Sequence, residues 1–123
     1  MFGRTLAMQS TTAYEFGDVV LVPFPFTDQT GHKKRPALVV SSGAYHMERS
    51  DLILLAVTSQ VRPSTAFGEA AVDQWKQSGL LRPSVIKPVA ATIERRLVLK
   101  KLGRLQSEDR STLQRILDQI LGS

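Results

Sequence analysis

Short apolar runs alternate with polar connections along the chain, and their lengths are those of β-strands. Runs rich in Val, Ile, Leu and Ala cover residues 18–24, 36–41, 51–58 and 84–89, and we predict a strand over each. Pro23 and Pro25 should end the first strand, and Pro88 the run at 84–89, because proline has no amide hydrogen to donate to a neighbouring strand.

The remaining stretches predict shorter elements. We expect edge-like pieces at 69–72 and Trp75, a helical turn at 93–98, and a last strand over 99–105 with its lysines outward. Residues 27–34, 43–50 and 60–64 are polar or contain proline, which is typical of loops.

The C-terminal stretch has helical rather than strand periodicity. Ser107 is a suitable N-cap, and Glu108 and Asp109 would lie favourably in the first turn of the helix dipole. Gly122 should stop the helix. An apolar stripe on this helix could pack on the core or in a dimer interface, and we favour the core. The stripe consists of Leu113, Ile116, Leu117, Ile120 and Leu121. Several short strands and one amphipathic helix predict an α+β fold, mostly β: a small curved barrel with the helix packed on it.

Chain length and composition narrow the class of protein. The 123 residues suffice for one domain, which we expect over 14–123 after a mobile N-terminal extension at 1–13 that lacks periodicity. No apolar run approaches the roughly 20 residues that a membrane span needs. The absence of cysteine excludes disulfides, and the N-terminus does not resemble a secretion signal, so we expect a cytoplasmic protein.

The charge of the chain favours an anionic partner. Its formal net charge is +5 and its pI is near 10.0. Between Leu80 and Leu105 the only acidic residue is Glu94. The basic residues of this stretch, here called the basic run, are Arg82, Lys87, Arg95, Arg96, Lys100, Lys101 and Arg104. Their excess indicates a binding surface.

Five ordered motifs give the chain a family resemblance. They are Gly-Asp-Val-Val-Leu-Val from Gly17, Arg-Pro-Ala-Leu-Val-Val from Arg35, Val-Thr-Ser-Gln from Val57, Pro-Ser-Val-Ile-Lys from Pro83 and Leu-Gly-Arg-Leu from Leu102. Together they resemble the MazF/PemK-like toxins of type II toxin–antitoxin systems, over about residues 15–121.

The resemblance implies an SH3-like small β-barrel of the MazF/CcdB type and a two-fold homodimer. It also implies an mRNA interferase that arrests growth and cleaves single-stranded RNA with neither a metal nor another cofactor. The ribose 2′-hydroxyl would attack the neighbouring phosphate, leaving a 2′,3′-cyclic phosphate and a 5′-hydroxyl. The implied partner is an antitoxin with an acidic, partly disordered segment, which would compete with RNA for the same cations.

The resemblance also suggests roles for individual residues. Arg35 matches the family's catalytic arginine, whose planar fork can stabilise a phosphorane-like transition state. Thr58 matches a catalytic Thr or Ser, and His32 is a candidate base or substrate-orienting group. The expected substrate contacts are Lys33, Lys34, Ser59, Gln60, Arg82 and Lys87.

The match has one departure. Many family members carry Asp-Gln-x-Arg-Thr after the fifth strand, whereas residues 87–93 here contain neither the acid nor the arginine. Either His32 or a water molecule would then supply the remaining proton-transfer role, or turnover would be slower than in the better-known members of the family.

Three other functions are considered. A CcdB-like gyrase inhibitor shares the fold but uses a C-terminal tryptophan segment that is absent here. A non-catalytic RNA- or protein-binding barrel would need only the basic surface. A metal nuclease would need carboxylates and histidines at ligand spacing, which the sequence does not show.

Overall fold

A computed structural model describes residues 13–23, 33–59 and 66–122. Within these ranges the chain forms six strands, two α-helices and one 3₁₀-helix. In order they are β1 (Asp18–Pro23), β2 (Lys34–Val39), α1 (Gly43–Glu48), β3 (Asp51–Thr58), β4 (Ala70–Ala71), β5 (Val85–Glu94), the 3₁₀-helix (Arg95–Leu97), β6 (Lys100–Arg104) and α2 (Ser107–Ile120).

The strands form one antiparallel sheet in the order β4-β5-β3-β2-β1-β6. The register shifts between Val19 and Val20 on β1 and between Leu55 and Val57 on β3. Such irregularities increase the local twist, which suits a sheet that curls. The result is a curled half-barrel with a C-terminal helix, which confirms the predicted fold class.

The sheet buries side chains on both faces. On one face, Leu38 and Leu55 pack with Leu113, Ile116 and Leu117 of α2. This packing confirms the core role of the helical stripe. The other face carries a second apolar cluster of Val20, Val22, Ala37, Val39, Leu52, Leu54, Ala56 and Ile93. Side chains one residue apart thus enter different clusters, as the period of a strand requires.

Three predicted boundaries were wrong. Leu121 is 62% exposed, because α2 ends at Ile120 before the stripe is complete. Strand β5 runs through Pro88 to Glu94, and Pro88 falls at the register shift, where the missing amide hydrogen breaks no regular pair. The helical turn is therefore restricted to the 3₁₀-helix at Arg95–Leu97.

Other elements differ from the expected ones in length or kind. β2 is displaced to Lys34–Val39, β4 shrinks to Ala70–Ala71, and Trp75 lies in a turn. Residues 1–12, Phe24 and Pro25 lie outside the described residues, so the extension at 1–13 and the domain boundary at 14 stay predictions.

The stretch 43–50 contains helix α1 rather than only a loop. The Ser42 side chain caps it by accepting a hydrogen bond from the Tyr45 amide at 3.1 Å. Its six residues are too few to show periodicity, and none is buried. Helix α2 has Gln106 at the N-cap position, one residue before the predicted Ser107, and that side chain makes no capping bond.

Asp109, predicted only to favour the helix dipole, also fixes the turn after β4. Its buried carboxylate accepts hydrogen bonds from the amides of Asp73 and Gln74 at 3.0 and 2.9 Å. This turn ends at Gly79, which packs its backbone against Gly103 of β6.

Candidate active site and the opposite end of the sheet

Strands β2 and β3 bring Arg35 and Thr58 to the same edge of the sheet. Ala37 pairs with Ala56 in an antiparallel register. The pairs between these strands end there, and Arg35 on β2 and Thr58 on β3 each lie two residues further towards that edge. Side chains two residues apart on a strand point to the same face of the sheet. Arg35 and Thr58 therefore share the face of Ala37 and Ala56, which belong to the second apolar cluster. Both side chains are half-buried, and we call this edge the Arg35–Thr58 edge.

The other predicted site residues of these strands lie at the same edge. Lys34 starts β2 opposite Pro23, Lys33 precedes it, and Ser59 follows β3; all three are exposed. No carboxylate in the described ranges forms an ion pair with Lys33, Lys34 or Arg35. His32 and Gln60 lie outside the described residues. Among the residues that the structure describes, the positive charges at this edge are therefore not paired with a carboxylate.

Arg82 and Lys87 are placed differently from one another. Arg82 is exposed in the connection that leads into β5, whose first residue, Val85, pairs with Thr58. Lys87 instead forms an ion pair with Glu69, with Nζ and Oε2 2.5 Å apart. Its charge is thus partly compensated by Glu69, whereas Arg82 has no carboxylate partner among the described residues.

The basic run is less cationic than the sequence suggested. Besides Lys87, Lys101 pairs with the buried Asp18 at 3.1 Å and Arg104 pairs with Glu15 at 3.0 Å. These acids are remote in sequence, so a local count of charges misses them. Over the described part of the chain, the basic-run members without a carboxylate partner are Arg82, Arg95, Arg96 and Lys100.

The stretch that departs from the family pattern lies inside a strand. Residues 87–93 belong to β5, not to a segment after it, and Ala90 and Ala91 pair with Leu55 and Leu54 of β3. The expectation that this segment follows the fifth strand was therefore wrong, and the stretch brings no acid to the sheet.

The opposite end of the sheet is organised by Asp51. The Tyr45 hydroxyl donates to its Oδ1 at 2.9 Å, and Nε and Nη2 of Arg49 donate to Oδ1 and Oδ2 at 3.3 and 3.1 Å. The hydrogen bond from Tyr45, and then those from Arg49, hold the pKa of Asp51 below its usual value. The network ties α1 to the start of β3.

His46 has a structural role at this end. Its Nδ1 donates to the backbone carbonyl of Tyr14 at 2.9 Å, because a carbonyl can only accept, and its Nε2 lies 2.6 Å from Oγ of Ser41. Ser41 in turn accepts from the Ile53 amide at 3.1 Å. The ring thus joins α1 to the segment before β1.

The Asp51 network makes stability depend on pH. Because its pKa is lowered on folding, Asp51 contributes stability above the unfolded-state pKa of about 3.9, and this contribution disappears as pH falls through the lower folded-state value. We expect Asp51→Asn to lower the melting temperature at about pH 6 and to differ less from wild type at about pH 2. Thermal unfolding across this range tests it. The exposed Asp118→Asn is the control, and a constant Asp51→Asn deficit at all pH values would contradict it.

Comparison with known families identifies the family of the chain. The family model for PemK-like, MazF-like toxins of type II toxin–antitoxin systems matches residues 15–121. The chain belongs to this family. The family assignment confirms the resemblance drawn from the five motifs.

Solved MazF structures share the fold. MazF from Deinococcus radiodurans in crystal form I is 21% identical, with 92% of this chain and 100% of that chain covered and a TM-score of 0.70. An endoribonuclease from a mycobacterial species, in complex with its cognate antitoxin, is 19% identical over 85% of this chain and 91% of that one, with a TM-score of 0.69. A MazE–MazF complex from D. radiodurans (form II) is 21% identical, with 91% of this chain and 98% of that chain covered and a TM-score of 0.68. The search of curated proteins found no match.

The described residues contain neither a candidate membrane-spanning helix nor a candidate metal site. Neither helix there is long and apolar enough to cross a membrane. No group of three or more His, Asp or Glu side chains in those ranges is arranged to hold a metal ion.

Proposed function

We propose that this MazF/PemK-family protein is a metal-independent endoribonuclease that cleaves single-stranded RNA in the cytoplasm and arrests growth. One observation supports the proposal. Arg35 and Thr58 lie two residues beyond the Ala37–Ala56 pair, on one face at one edge of the sheet, beside Lys33 and Lys34, which pair with no carboxylate of the described residues. RNA phosphates are the polyanion that such an edge would attract.

The proposed reaction needs only a few protein groups, each with its own role. The ribose 2′-oxygen attacks the adjacent phosphorus and loses its proton to His32 or water, while the bond from phosphorus to the 5′-oxygen breaks and that oxygen takes a proton from water or from the protonated acceptor. Arg35 would bind two phosphoryl oxygens as negative charge accumulates on them. The Thr58 hydroxyl would orient the phosphate or the 2′-hydroxyl. The proton acceptor is His32 or a water molecule, since residues 87–93 supply no acid.

Substrate contacts would surround this pair. Lys33, Lys34 and Arg82 are exposed and free of ion pairs with described carboxylates, so they suit phosphate contacts. Ser59 and Gln60 would contact the ribose or a base. Lys87 is the weakest of these candidates, because a phosphate would have to compete with Glu69.

The partners follow from the family. The cognate antitoxin would lay an acidic segment across the cations that RNA uses. The protein would be a homodimer, as the family resemblance implies, and pairing could cover exposed apolar side chains such as those of Leu81, Phe67 and Leu99. Light scattering should give twice the monomer mass of 13.6 kDa, and a 13.6 kDa particle at micromolar concentration would contradict the dimer.

Cleavage in the presence of a chelator tests the function. Purified protein should cut single-stranded RNA in excess EDTA as fast as in magnesium, because Arg35 provides the charge that a metal would otherwise supply. Duplex RNA of the same sequence should resist, because the cut strand is held in the helix. A strict magnesium requirement would show that the mechanism is wrong.

A further inference from the structure

A cavity of about 600 Å³ lies at the end of the sheet opposite the Arg35–Thr58 edge. The segment before β1, helix α1 and the 3₁₀-helix surround it, and its lining includes Tyr14, Met47, Glu48, Arg49, Arg95 and Arg96. Strand β3 runs from one end to the other over eight residues, so the two ends are about 24 Å apart. The cavity is therefore separate from the proposed catalytic pair.

Arg95 is held in place by backbone carbonyls and an aromatic ring, none of which carries a full charge. Its Nη2 donates to the carbonyls of His46 and Arg49 at 3.2 and 3.4 Å, and its guanidinium lies 6.0 Å from the centre of the Tyr14 ring. Its buried Nε has no hydrogen-bond partner in the described ranges. Carbonyl oxygens position a cation but carry no full negative charge, so this arginine remains available to an anion.

The cavity is also lined by Arg49 and Arg96, of which only Arg49 is paired with a carboxylate. Arg49 is engaged by Asp51 through two hydrogen bonds. Arg96 is exposed, and no carboxylate within residues 13–23, 33–59 or 66–122 pairs with it. Arg95 and Arg96 are therefore the two arginines of the lining that make no ion pair with a described carboxylate.

The rest of the lining is chemically mixed. Tyr14, Met47 and Val98 offer aromatic and apolar surface, whereas Glu48 and Glu94 add carboxylates. A bare phosphate would be repelled by these carboxylates. A nucleotide suits all three kinds of surface: its phosphate pairs with arginine, its base packs on apolar side chains, and its ribose hydroxyls or exocyclic amine donate to carboxylates. The cavity volume is within the range of small-molecule sites.

We propose that this cavity binds a ribonucleoside 5′-monophosphate unit, free or as part of an RNA chain, with its phosphate on Arg95 and Arg96. The site does not depend on the cleavage activity, because it shares no residue with the Arg35–Thr58 edge.

Titration with AMP tests the site. Amide shifts in NMR spectra of the wild-type protein should concentrate at residues 46–49 and 94–98, and adenosine should bind at least about tenfold more weakly because it lacks the phosphate. Arg96→Ala should weaken AMP binding by about tenfold. Lys100→Ala, which removes a nearby exposed charge outside the lining, should not. Arg95→Lys, which keeps the charge but loses the planar group that the carbonyls of His46 and Arg49 hold in place, should also weaken binding.

The outcomes separate the proposal from its alternatives. Shifts confined to residues 33–37 and 57–59, or equal affinity for AMP and adenosine, would overturn it. So would equal loss in Arg96→Ala and Lys100→Ala at unchanged melting temperature. A 5′-phosphorylated, fully 2′-O-methylated RNA hexamer, which cannot be cleaved through a 2′-hydroxyl, identifies the source. If Arg96→Ala weakens the hexamer as well as AMP, the site holds part of an RNA chain; if only AMP is weakened, it holds the free nucleotide.

Discussion

Arg35→Ala should reduce RNA cleavage by about 100- to 1,000-fold, as expected for loss of a preorganised donor to a developing negative charge. The chain has other cations at that edge, but Lys33 and Lys34 are point charges on exposed side chains, whereas the planar fork of arginine can bind two phosphoryl oxygens. Single-turnover cleavage of a labelled RNA measures the effect, and the melting temperature should change little.

Matched variants separate geometry from charge. Arg35→Lys keeps the charge and should recover only a small part of the rate, and Arg115→Ala, on the exposed face of α2, should cleave like wild type. Thr58→Ala should also be strongly impaired, and Thr58→Ser should retain activity if the hydroxyl is what matters. Near-normal cleavage by a folded Arg35→Ala protein would remove this residue from the catalytic site.

Gly103→Ala should destabilise the fold by about 3 kcal/mol or more. A Cβ atom on Gly103 would lie 2.3 Å from the carbonyl oxygen of Ser78. The reverse contact is equally close, since a Cβ on Gly79 would lie 2.2 Å from the Leu102 oxygen. Both obstacles are backbone atoms, so no side chain can move aside, and the turn would have to separate from β6.

Gly43→Ala is the matched control. No atom lies within 4 Å of the corresponding Cβ position on Gly43, and alanine in a helix should leave stability unchanged or raise it by up to about 1 kcal/mol. Urea unfolding of both variants gives the comparison. If Gly103→Ala proved as stable as Gly43→Ala, the close approach of turn and strand would be wrong.

The sequence predicted those strands and helices whose buried side chains produce a regular spacing of apolar residues. Residues 51–58 form β3 over the predicted range, and the stripe on α2 follows from its packing on the sheet. Helix α1 was missed because it buries no residue, and the passage of β5 through Pro88 depends on a register shift set by another strand. The pairing of strands depends on tertiary structure, which the pattern within a single run of residues does not reveal.

The candidate site shows the same limit. Arg35 and Thr58 were selected by resemblance, while their common edge follows from a strand register that the sequence does not state. The ion pairs of Lys87, Lys101 and Arg104 join residues far apart in the chain, so the basic run seemed more cationic than it is. No motif linked Tyr14, Arg49 and Arg95, which meet only around the cavity.

The most direct test of the proposed chemistry replaces one hydroxyl of the substrate. Once the cleaved bond in a short RNA is mapped, the nucleotide on its 5′ side is synthesised with a 2′-deoxyribose, and the products of both substrates are analysed by mass spectrometry in EDTA. The natural RNA should give a 2′,3′-cyclic phosphate and a 5′-hydroxyl fragment, and the deoxy-substituted RNA should not be cut at that bond. Cleavage of the deoxy-substituted RNA at the same bond, or fragments with 5′-phosphates, would contradict attack by the 2′-hydroxyl at the Arg35–Thr58 edge.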